Sequence, residues 1–172
     1  MGLTVKKSSN DAGFDEGWHI VIISEAEYGD YNDSKYIDLR FEGYPESLKC
    51  RVWEARNQEG EEFSVSNMIR YSNPDILEDN SLNGETAATL DDSPAGLKGK
   101  ALQVLFYQKD NGYTEVFQKV APAEPFSNIV DNFTESKIEK IKASAEDYKS
   151  KRATKVAKTV SEDSGLADQP PL

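Results

Sequence analysis

The chain has 172 residues, 30% of them charged and 37% hydrophobic, which suits one compact domain with an extension rather than two full domains. With 31 acidic residues against 20 Lys and Arg, the net charge of -11 excludes a nucleic-acid binder that is basic over its whole surface. A single cysteine, Cys50, and a single histidine, His19, exclude an intramolecular disulfide and a Cys/His zinc site within the chain. The longest apolar run, Ile20-Val21-Ile22-Ile23, is too short for a membrane span, and residues 1–7 hold no signal-like apolar stretch. A soluble, cytoplasmic protein is the expectation.

Residues 1–16 offer little to bury and read as a flexible arm. The β-branched run that begins at Trp18 and alternates as far as Tyr28 predicts a first strand, followed by a turn cluster at 29–34. Residues 36–42 alternate with period two, a second turn falls at 43–46, and residues 48–54 alternate again, which predicts an antiparallel hairpin. Val65, Met68, Ile69 and Ser72 fall at helical spacing, so a short helix is expected within 61–72, closed by Pro74. A long acidic loop then runs to Gly96. Gly96-Leu97-Lys98-Gly99-Lys100 opens a strand over 101–108, the Asn111-Gly112 dipeptide marks a hairpin turn, and residues 113–120 return, with Pro122 and Pro125 ending the domain.

Beyond Phe126 the composition changes. Residues 137–158 carry eight basic side chains against three acidic ones, with a weak apolar stripe, and read as a basic, partly helical extension. Residues 159–172 are acidic, end in Pro-Pro-Leu and are expected to be disordered. Three strands, a short helix and two more strands form the element order of the OB-fold, a five-stranded Greek-key barrel. The expected class is therefore all-β, with the OB-fold domain spanning residues 17–125 and a helical or disordered C-terminal tail.

Alternation sends Ile37, Leu39 and Phe41, with Leu48, Cys50 and Val52, to one face of the hairpin. The other face carries Tyr36, Arg40, Lys49, Arg51 and Trp53, diluted by Asp38 and Glu42. Cations that track phosphates beside rings that stack on bases are what a single-strand surface requires. Arg56, with Tyr107, Lys109, Tyr113 and Lys119 around the last hairpin, would extend that surface. Structural readings stand beside these. Trp53 either stacks on a base or covers the barrel end, Tyr113 and Phe117 suit core packing, His19 has no partner for metal or nucleophile chemistry, and Cys50 falls on the inward set as an inert thiol.

The run Ser34-Lys35-Tyr36-Ile37-Asp38-Leu39-Arg40-Phe41-Glu42, the charged third strand ending at Trp53, the helix around Met68-Ile69, and the Gly96-Leu97-Lys98-Gly99-Lys100 lead into a hairpin closed by Pro122 resemble bacteriophage-type single-stranded DNA-binding proteins of the OB-fold. The resemblance covers residues 17–125. It implies a protein that coats and protects single strands in DNA replication and recombination with low sequence specificity. It also implies an acidic tail, here Glu162, Asp163, Asp168 and the terminal Leu172, that recruits a polymerase or helicase; this tail lacks the family's terminal Phe. Self-association is compatible with the sequence.

Two other classes compete. A non-catalytic protein-interaction or virion structural module would use the same Arg40, Arg51 and Trp53 as an interface, since Trp, Tyr and Arg are also the usual hot-spot residues. It predicts no salt-dependent binding of nucleic acid. A nuclease using carboxylates and Mg²⁺ is disfavoured, because the acids lie in loops or alternate with apolar residues, and the chain has no phosphate-binding glycine loop. No enzyme activity and no cofactor are expected.

Overall fold

The fold is that of a computed structural model, which describes residues 14–76 and 90–162, with side chains as far as Arg152. Its centre is a five-stranded antiparallel sheet in the order β3-β2-β1-β4-β5. β1 (Gly17–Tyr31) is long enough to serve two neighbours: residues 17–22 pair with β4 (Ala101–Gln108), and the later part pairs with β2 (Ser34–Phe41). The change of partner falls where the register shifts between Ile23 and Glu25, an irregularity of the kind that bends a strand. Ile23 is fully buried at that bend, its N–H bonded to the Lys100 carbonyl and its carbonyl to the Gly99 N–H, both at 2.8 Å. Gly99 takes φ +86, a conformation side-chain-bearing residues rarely adopt, which gives the glycine of the Leu-Lys-Gly-Lys lead its structural purpose.

β1 runs three residues beyond the expected strand, and the turn into β2 is tight. Asn32 and Asp33 both have positive φ, as a two-residue hairpin turn requires. β2 pairs with β3 (Lys49–Trp53), and β4 pairs with β5 (Thr114–Val116), so β3 and β5 are the edges of the sheet. The sheet curls until these edges approach: the Cys50 thiol of β3 donates to the Phe117 carbonyl, just beyond β5, at 3.3 Å. Burial pushes the Cys50 thiol pKa up, which suits an inert donor and not a nucleophile.

The inward faces close on Ile23, Ile37, Leu39, Phe41, Cys50, Val52, Leu102 and Val104. α1 (Ser64–Tyr71) adds Val65, Met68 and Ile69, the spacing the sequence displays. No side chain at the capping position serves this helix. The Glu62 carboxylate instead accepts from the N–H groups of Ser64, Val65 and Ser66 and from the Ser66 hydroxyl, and it also holds the Ala55 N–H. α2 (Pro94–Leu97) is a single turn capped by Ser93, and it buries Leu97. The remainder of the expected acidic loop, residues 77–89, lies outside the described residues.

Two boundaries differ from expectation. Residues 14–16 of the supposed arm make contacts, the Phe14 ring meeting Tyr44 and Phe106 edge-on and the Asp15 carbonyl holding His19, while residues 1–13 lie outside the described residues. Nor does the folded unit end at Pro122 and Pro125. Residues 126–133 form a small hairpin, β6 (Phe126–Ser127) with β7 (Asn132–Phe133), tied to α1 by Arg70, which donates to both carboxylate oxygens of the buried Asp131. α3 (Glu135–Glu162) then lies against the sheet, burying Ile138 and Ala145. Trp18 donates to Glu146 at 2.6 Å, and Tyr148 packs against Phe117.

The Glu62 carboxylate satisfies three otherwise unpaired N–H groups at the start of an eight-residue helix. Glu62→Ala is expected to lower the unfolding free energy by about 1–2 kcal/mol in denaturant titrations, in the range of other lost helix caps. No change would mean that water replaces this cap at no cost.

Candidate nucleic-acid interface

The outward face of the β2–β3 hairpin is built from three cross-strand pairs: Tyr36 opposite Trp53, Asp38 opposite Arg51, and Arg40 opposite Lys49. The Tyr36 and Trp53 rings meet edge-to-face, with centroids 5.1 Å apart. The Arg51 guanidinium lies 3.7 Å above the Tyr36 ring and 5.7 Å from that of Trp53, a cation–π arrangement. Tyr36 in turn lies over Gly29 of β1, its cross-strand neighbour. A Cβ at that glycine would come within 2.5 Å of the tyrosine oxygen, so only glycine leaves room for the ring in this position.

Asp38 organises the cations. Arg51 reaches its two oxygens through Nε and Nη2 at 2.8 and 2.9 Å, and Lys49 approaches at 3.4 Å. The carboxylate is only 5% exposed although it sits on the outward face, because these two side chains fold over it. Burial alone would raise its pKa, but the Arg51 hydrogen bonds and the charges of Arg51 and Lys49 outweigh burial and hold it below the ordinary 3.8. One of the two cationic charges is therefore neutralised, and both side chains are held in place.

A groove of about 1260 Å³ runs along this face. One wall is Lys49, Arg51 and Trp53 of β3, and the other is Tyr107, Lys109 and Glu115 of the β4–β5 hairpin. Glu115 accepts from the Tyr107 hydroxyl at 2.8 Å and pairs with Lys109 at 3.2 Å; burial and this bond push the Tyr107 phenol pKa up. α3 closes one side with Lys149, 5.0 Å from the Tyr107 ring, and Arg152, which donates to Gln118 at 3.1 Å. Neither has an acidic partner among the described residues. Five cations thus line the groove against Asp110 and Glu115, an inversion of the charge balance of the chain.

Of the residues singled out in the sequence, Lys49, Arg51, Trp53, Tyr107 and Lys109 converge on this groove, and Tyr36 supports Arg51 from behind. Four others do not line it. Arg40 turns to the Glu46 carbonyl and lies 3.9 Å from Glu27, while Arg56 bonds the Gly60 carbonyl and pairs with Glu54. Tyr113 is not in the core either: its side chain is 54% exposed beside the hairpin turn. Lys119 points into a separate cavity under α3, because Val116 and Phe117 are both buried and the strand's alternation breaks there. Phe117, His19 and Cys50 occupy structural positions, with His19 stacked on Phe106 at 4.2 Å.

The sequence offers residues 137–158 as an auxiliary electrostatic arm without singling out Lys149 and Arg152, whose spacing of three residues places them together on a helix, and it gives no sign of the burial of Asp38. The tail candidates Asp163, Asp168 and Leu172 lie outside the described residues, as does the side chain of Glu162. Among the described residues no group of three or more His, Cys, Asp or Glu is placed to hold a metal ion, and no helix is long and apolar enough to cross a membrane. No protein-family model matches the chain, and no curated protein matches it.

Asp38 and Glu62 are both held below their ordinary carboxylate pKa values, the second because its four N–H and hydroxyl bonds outweigh burial. Each contributes stability that is fully present above the unfolded-state value and is lost as pH falls through the depressed folded one. Stability is therefore expected to decline on acidification below about pH 4, and Asp38→Asn to flatten that decline in denaturant titrations across pH. A parallel pH profile for the variant would contradict the Asp38 assignment.

Proposed function

We propose that the protein binds single-stranded DNA in the groove between β3 and the β4–β5 hairpin, by base stacking and phosphate contacts and without catalysis. The observation that carries this reading is the convergence of Trp53, Tyr107 and five cations on one open groove in a chain of net charge -11. Positive charge gathered beside rings in an otherwise acidic protein suits a polyanion with stacking faces. At physiological ionic strength the acids elsewhere on the surface are screened beyond about 8 Å, so the local balance governs close approach.

The sheet order supports reading the curled sheet as an OB-fold barrel, with β1 shared between β2 and β4 and a helix between β3 and β4. In that fold the strand 2–3 face and the strand 4–5 loop bind oligonucleotides, and both border the groove here. The groove supports binding of a single strand, and the resemblance to phage single-strand binders extends that reading to a coating protein of DNA replication and recombination in a host cytoplasm. Polymerase or helicase partners would be engaged through the acidic tail. Little sequence preference is expected, because every base offers a face for stacking.

Titration of tryptophan emission with a dT oligonucleotide and with duplex DNA at two salt concentrations tests the proposal. Trp53 lies in the groove, while Trp18 is held by Glu146 and reports on the docking of α3. Salt-sensitive quenching by the single strand alone is expected. Trp53→Ala should weaken binding by about 1–3 kcal/mol with the salt slope unchanged. Asp38→Asn, which leaves Lys49 and Arg51 uncompensated, should steepen that slope by about one counterion. No response to either nucleic acid would overturn the proposal in favour of a protein interface on the same face.

A further inference from the structure

A second cavity, of about 400 Å³, lies between α1, the chain after β5 and α3. It adjoins the groove, since Gln118 lines both. Its walls carry Lys119 and Lys140 and the rings of Phe63, Tyr71 and Tyr148, but no acidic residue, in a chain where acids outnumber bases 31 to 20. Lys119 has no carboxylate within ion-pair distance among the described residues. Its ammonium lies instead 5.0 Å from the Tyr148 ring and 5.9 Å from the Phe63 ring, and burial holds its pKa below the ordinary value. Such a cation gains from any anion that enters.

Phe63 is the second unusual feature. It stands at the start of α1, is 38% exposed, and belongs to neither buried cluster of the protein, so its ring contributes little to the core. An accessible ring beside an unpaired ammonium repeats the pairing that defines the main groove. Asn67 and Gln118 add amide groups to the same walls. Arg152 reaches Gln118 from the groove side, so cationic side chains border the passage from one depression to the other.

We propose that this cavity is a second nucleotide subsite, in which a base stacks on Phe63 and the adjoining phosphates meet Lys119 and Lys140, extending the path of a single strand beyond the groove. The inference rests on the proposed binding of single-stranded DNA and assigns where a longer strand continues. A short oligonucleotide fills the groove alone, whereas a longer one reaches past Gln118 and gains the second set of contacts.

The test compares dT oligonucleotides of about 4 and about 12 nucleotides, both within the range of about 4–16 nucleotides per OB fold. Binding is measured for the full-length protein and for the Phe63→Leu, Lys119→Met and Lys140→Gln variants, with Trp53→Ala as reference. Phe63→Leu is expected to weaken the long oligonucleotide by about tenfold and to leave the short one within about twofold. The two lysine variants should each lower the salt slope by about one for the long oligonucleotide only. Lys140 is exposed, so Lys140→Gln gives the same readout should either of the others fail to fold. Unchanged binding of both lengths by these variants, while Trp53→Ala weakens both, would overturn the subsite and leave the groove standing. Equal losses at both lengths would also overturn it, because the cavity would then not lie beyond the groove. Absence of binding by the wild-type protein at either length would overturn the subsite together with the reading on which it rests.

Discussion

The bend of β1 at Ile23 is the constraint from which the rest of the architecture follows. A straight strand of fifteen residues would carry β2 and β4 side by side along its length; the register shift instead divides it between them. The two halves then diverge, and the outer strands β3 and β5 are brought round until Cys50 meets the Phe117 carbonyl. The groove exists because these edges approach without forming a backbone ladder. Gly99 secures the bend by offering its N–H to the Ile23 carbonyl from a conformation that a residue with a Cβ would adopt only under strain.

On that frame the electrostatics are local. Exposed ion pairs contribute little to stability, but Asp38 is nearly excluded from water, and removing its partners would leave a buried charge uncompensated. The pairing therefore fixes Arg51 over Tyr36 and keeps Lys49 near the mouth of the groove. Rigid cations lose less entropy on meeting phosphate than mobile ones do. The opposite wall repeats the device: Glu115 holds Tyr107 and Lys109. α3 contributes differently, since Lys149 and Arg152 bring positive charge with no acid paired to either among the described residues.

Much of this was legible in the sequence, and the failures have physical causes. The period-two pattern over residues 36–42 and 48–54 gave the hairpin and its two faces, and Met68 and Ile69 marked the helix, because strong alternation leaves a single way to bury the apolar set. Alternation makes Asp38 a solvent-facing dilution of positive charge, since it assigns a face but does not reveal which neighbours cover a side chain. Alternation extended over residues 113–120 places Tyr113 and Lys119 within one strand, but Tyr113 precedes β5 at the hairpin turn and Lys119 follows it. The strand has three residues, and the consecutive burial of Val116 and Phe117 shifts everything after it out of phase. The docking of α3 depends on Ile138 and Ala145, seven residues apart and one of them small, a stripe too weak to separate a packed helix from a solvated one. Without that stripe, the spacing of Lys149 and Arg152 carries no direction.

The central claim is that a single strand lies along the groove whose two walls carry Trp53 and Tyr107. Photo-crosslinking of the full-length protein to an iodouridine-substituted oligonucleotide, with the modified peptides located by mass spectrometry, tests this most directly. The account predicts adducts at Trp53 and Tyr107, suppressed by unlabelled single strand and by salt. Adducts confined to the opposite side of the sheet, around the exposed Ile20 of β1, would contradict it.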